Sequence, residues 1–427
     1  MARTTATPGS VLTRRFGPKW LSGFQDDYRK VLVDEWSPYL GGILLVTVAA
    51  GLMTGGLFWG VFGGLRLWGD YLNNAVGLGP ALGIKADLES PLMHRISLMD
   101  ITLILGALSA ALLSSQFRIN RPPPLEYVWG ALGGTLMGIG ATLAGGCTVG
   151  GFFTPVMFAS PAGLAMLCGL LLGAALGLKG LIWTMEHITW GITAPPMKAE
   201  PLFKTRYPLF GFLVLAAVLW WGSAWLLDED AALAGRGLIV LAGFALGFIL
   251  HRSRFCFSRV FREPFMTGDG TMTKAMIVTL ATGITIGSLL LQTGTVDPYL
   301  AIPATFWSGS LIGGVVFGVG MIFAGGCASG SMWRVGEGHL KLLVAVVFFG
   351  WSGSVFSGVL RHFGVLTPQL DLDFLDGMVE ITMLGYQAYL PDLLGGWGLS
   401  YLVLFSLLGL WYGLVRYNES TERFTVL

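Results

Sequence analysis

The sequence predicts an all-α polytopic membrane fold of two pseudo-symmetric halves, with broken, re-entrant helices meeting at mid-membrane. Three observations predict it. Only 12% of the 427 residues are charged and 54% are hydrophobic, whereas a soluble globular chain carries roughly 25% charged residues. Apolar runs recur at lengths that cross a hydrocarbon core. One 18-residue segment occurs twice, 180 positions apart, and is interrupted each time by Gly-Gly-Cys.

Taken in order, residues 1–37 are polar and mixed in charge and lack the short apolar core of a signal peptide. They read as a solvated N-terminal arm with an interfacial helix near residues 20–36. A first transmembrane half is expected over residues 38–206, a second over 207–416, and a C-terminal tail over 417–427. Uninterrupted spans are expected at residues 38–65, 96–113, 161–183, 207–227, 236–251, 271–292, 339–360 and 398–416. Two further runs, 130–158 and 306–334, carry the breaks. The linkers at 66–95, 184–206 and 361–397 are moderately polar, and an amphipathic stretch around 374–390 is expected to lie in the interface. Arg252, Arg254, Arg259 and Arg262 form a basic cluster that favours the cytoplasm by the positive-inside rule.

The repeat carries most of the functional information. Residues 133–150 read GGTLMGIGATLAGGCTVG and residues 313–330 read GGVVFGVGMIFAGGCASG; nine of the eighteen positions are identical, the cysteine and an alanine among them. Each copy holds a small-xxx-small pair, Gly134/Gly138 and Gly314/Gly318, of the kind that lets helix backbones approach closely in lipid. Each then meets two successive glycines, Gly145-Gly146 or Gly325-Gly326, which weaken a helix and permit a sharp turn. Non-helical backbone at membrane depth is tolerated where it is buried or lines a cavity, and paired broken segments in corresponding halves point to a transport site. The plain alternative is a pair of glycine-rich packing helices; the shared register of Gly-Gly-Cys favours a path.

A half-helix starting at Cys147 would aim the N–H groups of Thr148, Val149 and Gly150 at mid-membrane, and Cys327 with Ala328, Ser329 and Gly330 would do the same. Helix N-termini hold anions through those amides and the helix dipole. A soft thiol suits a sulfur atom, and the arrangement needs no buried lysine or arginine. Cys256, in HRSRFCFSR, is either a small residue at a helix end or a third substrate-facing thiol. The matching stretch in the first half is LSSQFRIN, with Phe117 paired to Phe255 and Arg118 standing where Cys256 stands. Cys168 is expected to be a buried, inert thiol in a span interior. His187, His251, His339 and His362 are expected at the interface and His94 in a linker.

Other classes are disfavoured. Four cysteines make no disulfide scaffold and no C-x-x-C pair, so neither a metal nor another cofactor is expected. A formal net charge of +1 with dispersed basic residues does not suggest nucleic acid. No acidic residue falls clearly inside an expected span, which argues against a carboxylate proton relay, and no Walker motif supplies ATP drive.

GGCTVGG, GGCASGS and RSRFCFS resemble the YeeE/YedE family of membrane proteins, over most of the chain from about the second span to the ninth. The resemblance implies an hourglass of inverted halves whose short broken helices meet at a cysteine-lined waist. Thiosulfate would pass there by transient S–H···S contacts with Cys147, Cys327 and Cys256, without large rocking. It also implies an inner-membrane, multi-pass location in the lipid bilayer and a small cytoplasmic sulfur-carrier protein as partner. Arg118 departs from a Phe-Cys motif that family members often carry in the first half. The reading is thus a permease for thiosulfate or a related small sulfur anion, not an enzyme. The alternatives are a membrane sulfurtransferase or redox protein carrying a cysteine persulfide, and a transporter of a selenium compound or another small anion.

Overall fold

The computed structural model describes residues 26–188, 190–191, 204–367, 369–371 and 379–425. Most of the arm and much of the 184–206 linker lie outside them. The protein is a polytopic all-α membrane protein. Among the described residues, nine helical segments are long and apolar enough to cross a bilayer.

The described part of the arm is one short helix, α1 (Asp26–Val33), bent 70° from α2 (Pro38–Thr54). The expected single span at 38–65 is not continuous. α2 ends at Thr54, Gly56 takes a φ of +67°, residues 57–60 run extended, and α3 (Phe62–Ala75) begins afresh. Left-handed backbone suits glycine, so Gly55-Gly56 stops this run as the repeated glycine pairs stop theirs. The next helices are α4 (Arg95–Leu113) and α5 (Pro124–Leu143), then a π-helical turn (Thr148–Phe153) continued by α6 (Thr154–Met157), then α7 (Pro161–His187). The chain goes on through α8 (Tyr207–Leu226), α9 (Ala231–Ser253), α10 (Phe257–Met266) and α11 (Thr271–Gln292). α12 (Ser308–Ala324), α13 (Ala328–Glu337) and α14 (Leu340–His362) follow. An antiparallel sheet, β1 (Gln369–Asp371), β2 (Val379–Thr382) and β3 (Gly385–Tyr386), precedes α15 (Leu390–Leu394) and α16 (Trp397–Thr421). Where described, the stretch at 374–390 is chiefly β2 and β3 with the turn between them.

Burial sorts the helices into centre and rim. The apolar window of α4 is 72% buried, that of α8 only 17%. Leu209, Phe210, Leu213 and Trp220 of α8 are exposed, which suits a lipid-facing helix because lipid is as apolar as a protein core.

The centre is held by the two repeated helices packed on each other. A Cβ on Gly133 would strike the backbone of Ala324 and Gly320, and one on Gly313 the backbone of Ala144 and Gly140. Gly140 meets Phe317 N at 2.5 Å, and Gly320 meets Met137 N at 2.7 Å, measured to an added Cβ. Each contact is the other with 180 exchanged between partners, so α5 and α12 share one reciprocal glycine interface. The outer faces are also glycine-lined: Gly134 lies against Ala345 of α14, and Gly314 against Met166 of α7.

The sheet covers one end of this pair. Gln387 donates to the carbonyls of Ile302 at 2.9 Å and Tyr299 at 3.2 Å, and Thr305 donates to the Ala144 carbonyl at 3.1 Å. These bonds fix residues 298–305 against the first break.

Candidate functional site

Both Gly-Gly-Cys breaks are built alike. Gly145 and Gly325 take φ of +72° and +82°. The second glycine is needed for room: a Cβ on Gly146 would stand 2.7 Å from Gly151 N, and one on Gly326 3.0 Å from the Ser331 hydroxyl. Cys147 and Cys327 are then extended N-caps, with ψ of −172° and 179°. Their carbonyls accept the first helical bonds, from Gly151 and Ser331, both at 2.7 Å.

The two thiols are buried. Gly330 N–H donates to Cys327 Sγ at 3.3 Å, and the Ser329 hydroxyl lies 3.7 Å from it. Cys147 is fully buried at the N-cap of its turn. Cys256 is a third buried N-cap, at the start of α10. Its sulfur and that of Cys327 both lie beside Gly330. A Cβ on Gly330 would lie 3.0 Å from both sulfurs, so glycine keeps the gap between them clear.

Cys147 lines a cavity of about 630 Å³ whose lining includes neither Cys256 nor Cys327. Trp59, Gly145, Gly146 and Gly150 share that lining with two arginines, Arg66 and Arg361, and with no carboxylate. The indole N–H of Trp59 and the hydroxyl of Thr148 are buried beside Cys147 with no protein partner among the described residues; so are the Ser258 and Ser331 hydroxyls and the Trp333 indole near the other two thiols. Buried polar groups normally find partners, so these five are donors left available. A chain of edge-to-face rings joins the two regions: Trp59–Phe153 at 5.7 Å, Phe153–Phe257 at 5.9 Å and Phe257–Phe255 at 5.8 Å between centroids. The last two rings flank Cys256.

The basic cluster is largely consumed in structure. Arg254 donates to Glu337 at 2.7 Å and to Gln116 at 2.6 Å. Arg259 pairs with Glu263 at 2.5 Å, and Arg252 donates to the Asp34 carbonyl. Glu337 also lies 3.6 Å from His251 and 3.5 Å from His339.

Several expectations are corrected. Cys168 is exposed on α7 and not buried, because an apolar residue in a span can as well face lipid as core. His251, at the end of α9 as expected, is fully buried beside Glu337. His94 caps α4, accepting from Ser97 N at 3.2 Å. Phe117 and Arg118 follow α4, whereas Phe255 and Cys256 precede α10; the residue that starts α3 as Cys256 starts α10 is Val61. Asp100 does lie inside a span, in the second turn of α4, fully buried.

The break before α3, which brings Trp59 and Val61 to Cys147, is not among the breaks expected from the sequence. Its signal is present there all the same: Gly55-Gly56 inside an apolar run of 28 residues, longer than one crossing needs.

The chain matches the family described as sulphur transport over residues 15–176 and 252–425. It is similar to the probable transporter YedE of Escherichia coli (strain K12), 28% identical over 403 residues, which is 90% of this chain and 93% of that protein. Shorter stretches are similar to the thiosulfate transporter TsuA. The match to that of Spirochaeta thermophila is 40% identical over 111 residues, 26% of this chain and 33% of that protein. The match to that of Escherichia coli (strain K12) is 34% over 122 residues, 29% and 33%.

Proposed function

Because the chain belongs to the sulphur transport family, we propose that it is an inner-membrane permease for thiosulfate, passed through a cysteine-lined constriction. The observation that supports this reading is the trio of buried thiols, each at the N-cap of a helical segment, with Cys327 accepting from the Gly330 N–H. The cavity with Arg66 and Arg361 gathers the anion by charge. Cys147 at its wall takes the first S–H···S contact, and the neighbouring pair Cys256 and Cys327 takes the next. Thiosulfate ends in one soft sulfur and three oxygens; the thiols meet the sulfur, while Trp59, Thr148, Ser258, Ser331 and Trp333 offer N–H and O–H to the oxygens. On the far side a small sulfur-carrier protein collects the sulfur.

The test is uptake of labelled thiosulfate into liposomes holding the purified protein. Saturable uptake is expected, inhibited by unlabelled thiosulfate and not by sulfate. Equal inhibition by both anions would remove the role of the thiols in selection. A persistent sulfur adduct on Cys256 or Cys327 in the intact mass would point instead to persulfide carriage.

Glycine substitutions sharpen the test. Gly330→Ala places a methyl between the two sulfurs and is expected to cut uptake at least tenfold. Gly413→Ala on α16, whose Cβ meets nothing within 4 Å, is expected to transport within about twofold of the parent. Equal uptake by both variants would show that the space between Cys256 and Cys327 is not on the route.

A further inference from the structure

We propose that Asp100 is a proton-carrying site that couples anion passage to an inward flow of protons; the inference rests on the transport reading above. Asp100 is fully buried, and neither carboxyl oxygen has a partner among the described residues. Nearby, the Trp68 indole N–H is taken up by Ser97 Oγ at 2.7 Å. Gly64 makes the room, since a Cβ there would collide with the Asp100 carboxyl and the Ser97 backbone. A carboxylate charge with no partner at membrane depth is costly, and intramembrane carboxyls of this kind mark proton relays and ion pathways.

Its position ties it to the route. Ile96, one turn before Asp100 on α4, lines the 630 Å³ cavity together with Cys147. Residues four apart share a helix face, so the carboxyl lies one turn deeper on the face that opens to the cavity.

The elements packed against α4 carry other ionisable groups. α3 carries Arg66 and Asp70, and α4 itself has Arg95 and the cap His94. α8 brings Tyr207 and α1 Tyr28. α9 brings Arg236, His251 and Arg252, and α13 brings Arg334 and Glu337. Arg236 is held by the Met93 carbonyl at 2.9 Å, Arg334 by the Gly325 carbonyl at 3.1 Å, and His251 faces Glu337. None of these contacts reaches the Asp100 oxygens.

The step balances simply. A proton from water in the cavity forms the O–H bond on Asp100 as the anion enters. That bond breaks to water on the far side as the anion leaves, and no bond of the anion changes. The inward move of a dianion runs against an inside-negative potential, and each proton carried with it offsets one charge.

The experiment uses the full chain in liposomes of phosphatidylethanolamine and phosphatidylglycerol, with the potential clamped to zero by valinomycin and equal potassium. With acid outside, the parent is expected to accumulate labelled thiosulfate by up to about tenfold per pH unit for one proton carried. Entrapped pyranine is expected to report acidification on thiosulfate addition. Asp100→Asn is expected to lose accumulation and acidification while still exchanging labelled for unlabelled thiosulfate, and Asp100→Glu to keep all three. If the unmodified chain moves thiosulfate but shows no acidification and no response to the gradient, the proton role is overturned and the transport reading stands. Accumulation by Asp100→Asn equal to the parent overturns the proton role as well. No thiosulfate flux in the parent overturns both.

Discussion

Replacing Cys327 by alanine is expected to abolish thiosulfate uptake almost completely while leaving insertion and purification unchanged. On the proposed route Cys327 is a central contact. Its thiol accepts from Gly330 N–H, lies with Cys256 beside Gly330, and sits at the bend where the second broken helix restarts. Alanine keeps the extended backbone and removes only the sulfur, so the fold loses little. The route loses its soft contact at a place where the anion has already shed water. Removing one partner of a buried polar contact costs about 1–3 kcal/mol, and each 1.4 kcal/mol is tenfold. A drop of roughly ten- to a hundredfold is therefore expected, and a similar one for Cys147→Ala. Cys168→Ala, on the exposed face of α7, is expected to transport as the parent does. Labelled uptake normalised to protein in the membrane decides this; parental rates for both Cys147→Ala and Cys327→Ala would end the case for a thiol route.

Gly140→Leu is expected to prevent assembly of the helix core altogether. At this position an added Cβ already lies 2.5 Å from Phe317 N and 2.6 Å from the Gly313 carbonyl. Both obstacles are helix backbone and cannot rotate away, so α5 and α12 must separate. Overpacking typically costs 1–3 kcal/mol and sometimes more, and here it also strains the reciprocal contact at Gly133 and Gly320. Gly409→Leu on α16, where nothing lies within 4 Å, is the control and is expected to purify normally. A monodisperse Gly140→Leu protein with the parental melting temperature would show that the glycine interface is not what holds the centre.

Spans such as 271–292, with one lysine near its start, and 207–227, with no charge, were legible because a long apolar run of crossing length is stable almost nowhere except in lipid. The two breaks were legible because a glycine pair followed by cysteine at the same register in two copies is hard to produce by composition alone. Cys256 could be marked in the sequence but not placed; its nearness to Cys327 depends on how α10 and α13 cross. The break before Trp59 was missed because Gly55-Gly56 has no cysteine, charge or second copy to mark it and the run around it reads as one helix. Asp100 was missed because an acid five residues inside a span looks like the interface until the packing of Gly64 over it is known. Cys168 was misplaced for a reason peculiar to membranes. Periodicity separates core from surface in water, but lipid and core are equally apolar, so hydropathy alone does not say which way a thiol faces.

The nearness of Cys256 and Cys327 across Gly330 has one more consequence. On the proposed route, two neighbouring thiols are also a ready ligand pair for soft, thiophilic metal ions, which favour thiolate over every other side chain. The chemistry that lets a sulfur anion be held briefly would let mercuric or cadmium ions be held for good. A cell relying on this protein for its sulfur would thus meet heavy-metal toxicity at the point of entry, before any enzyme inside is reached.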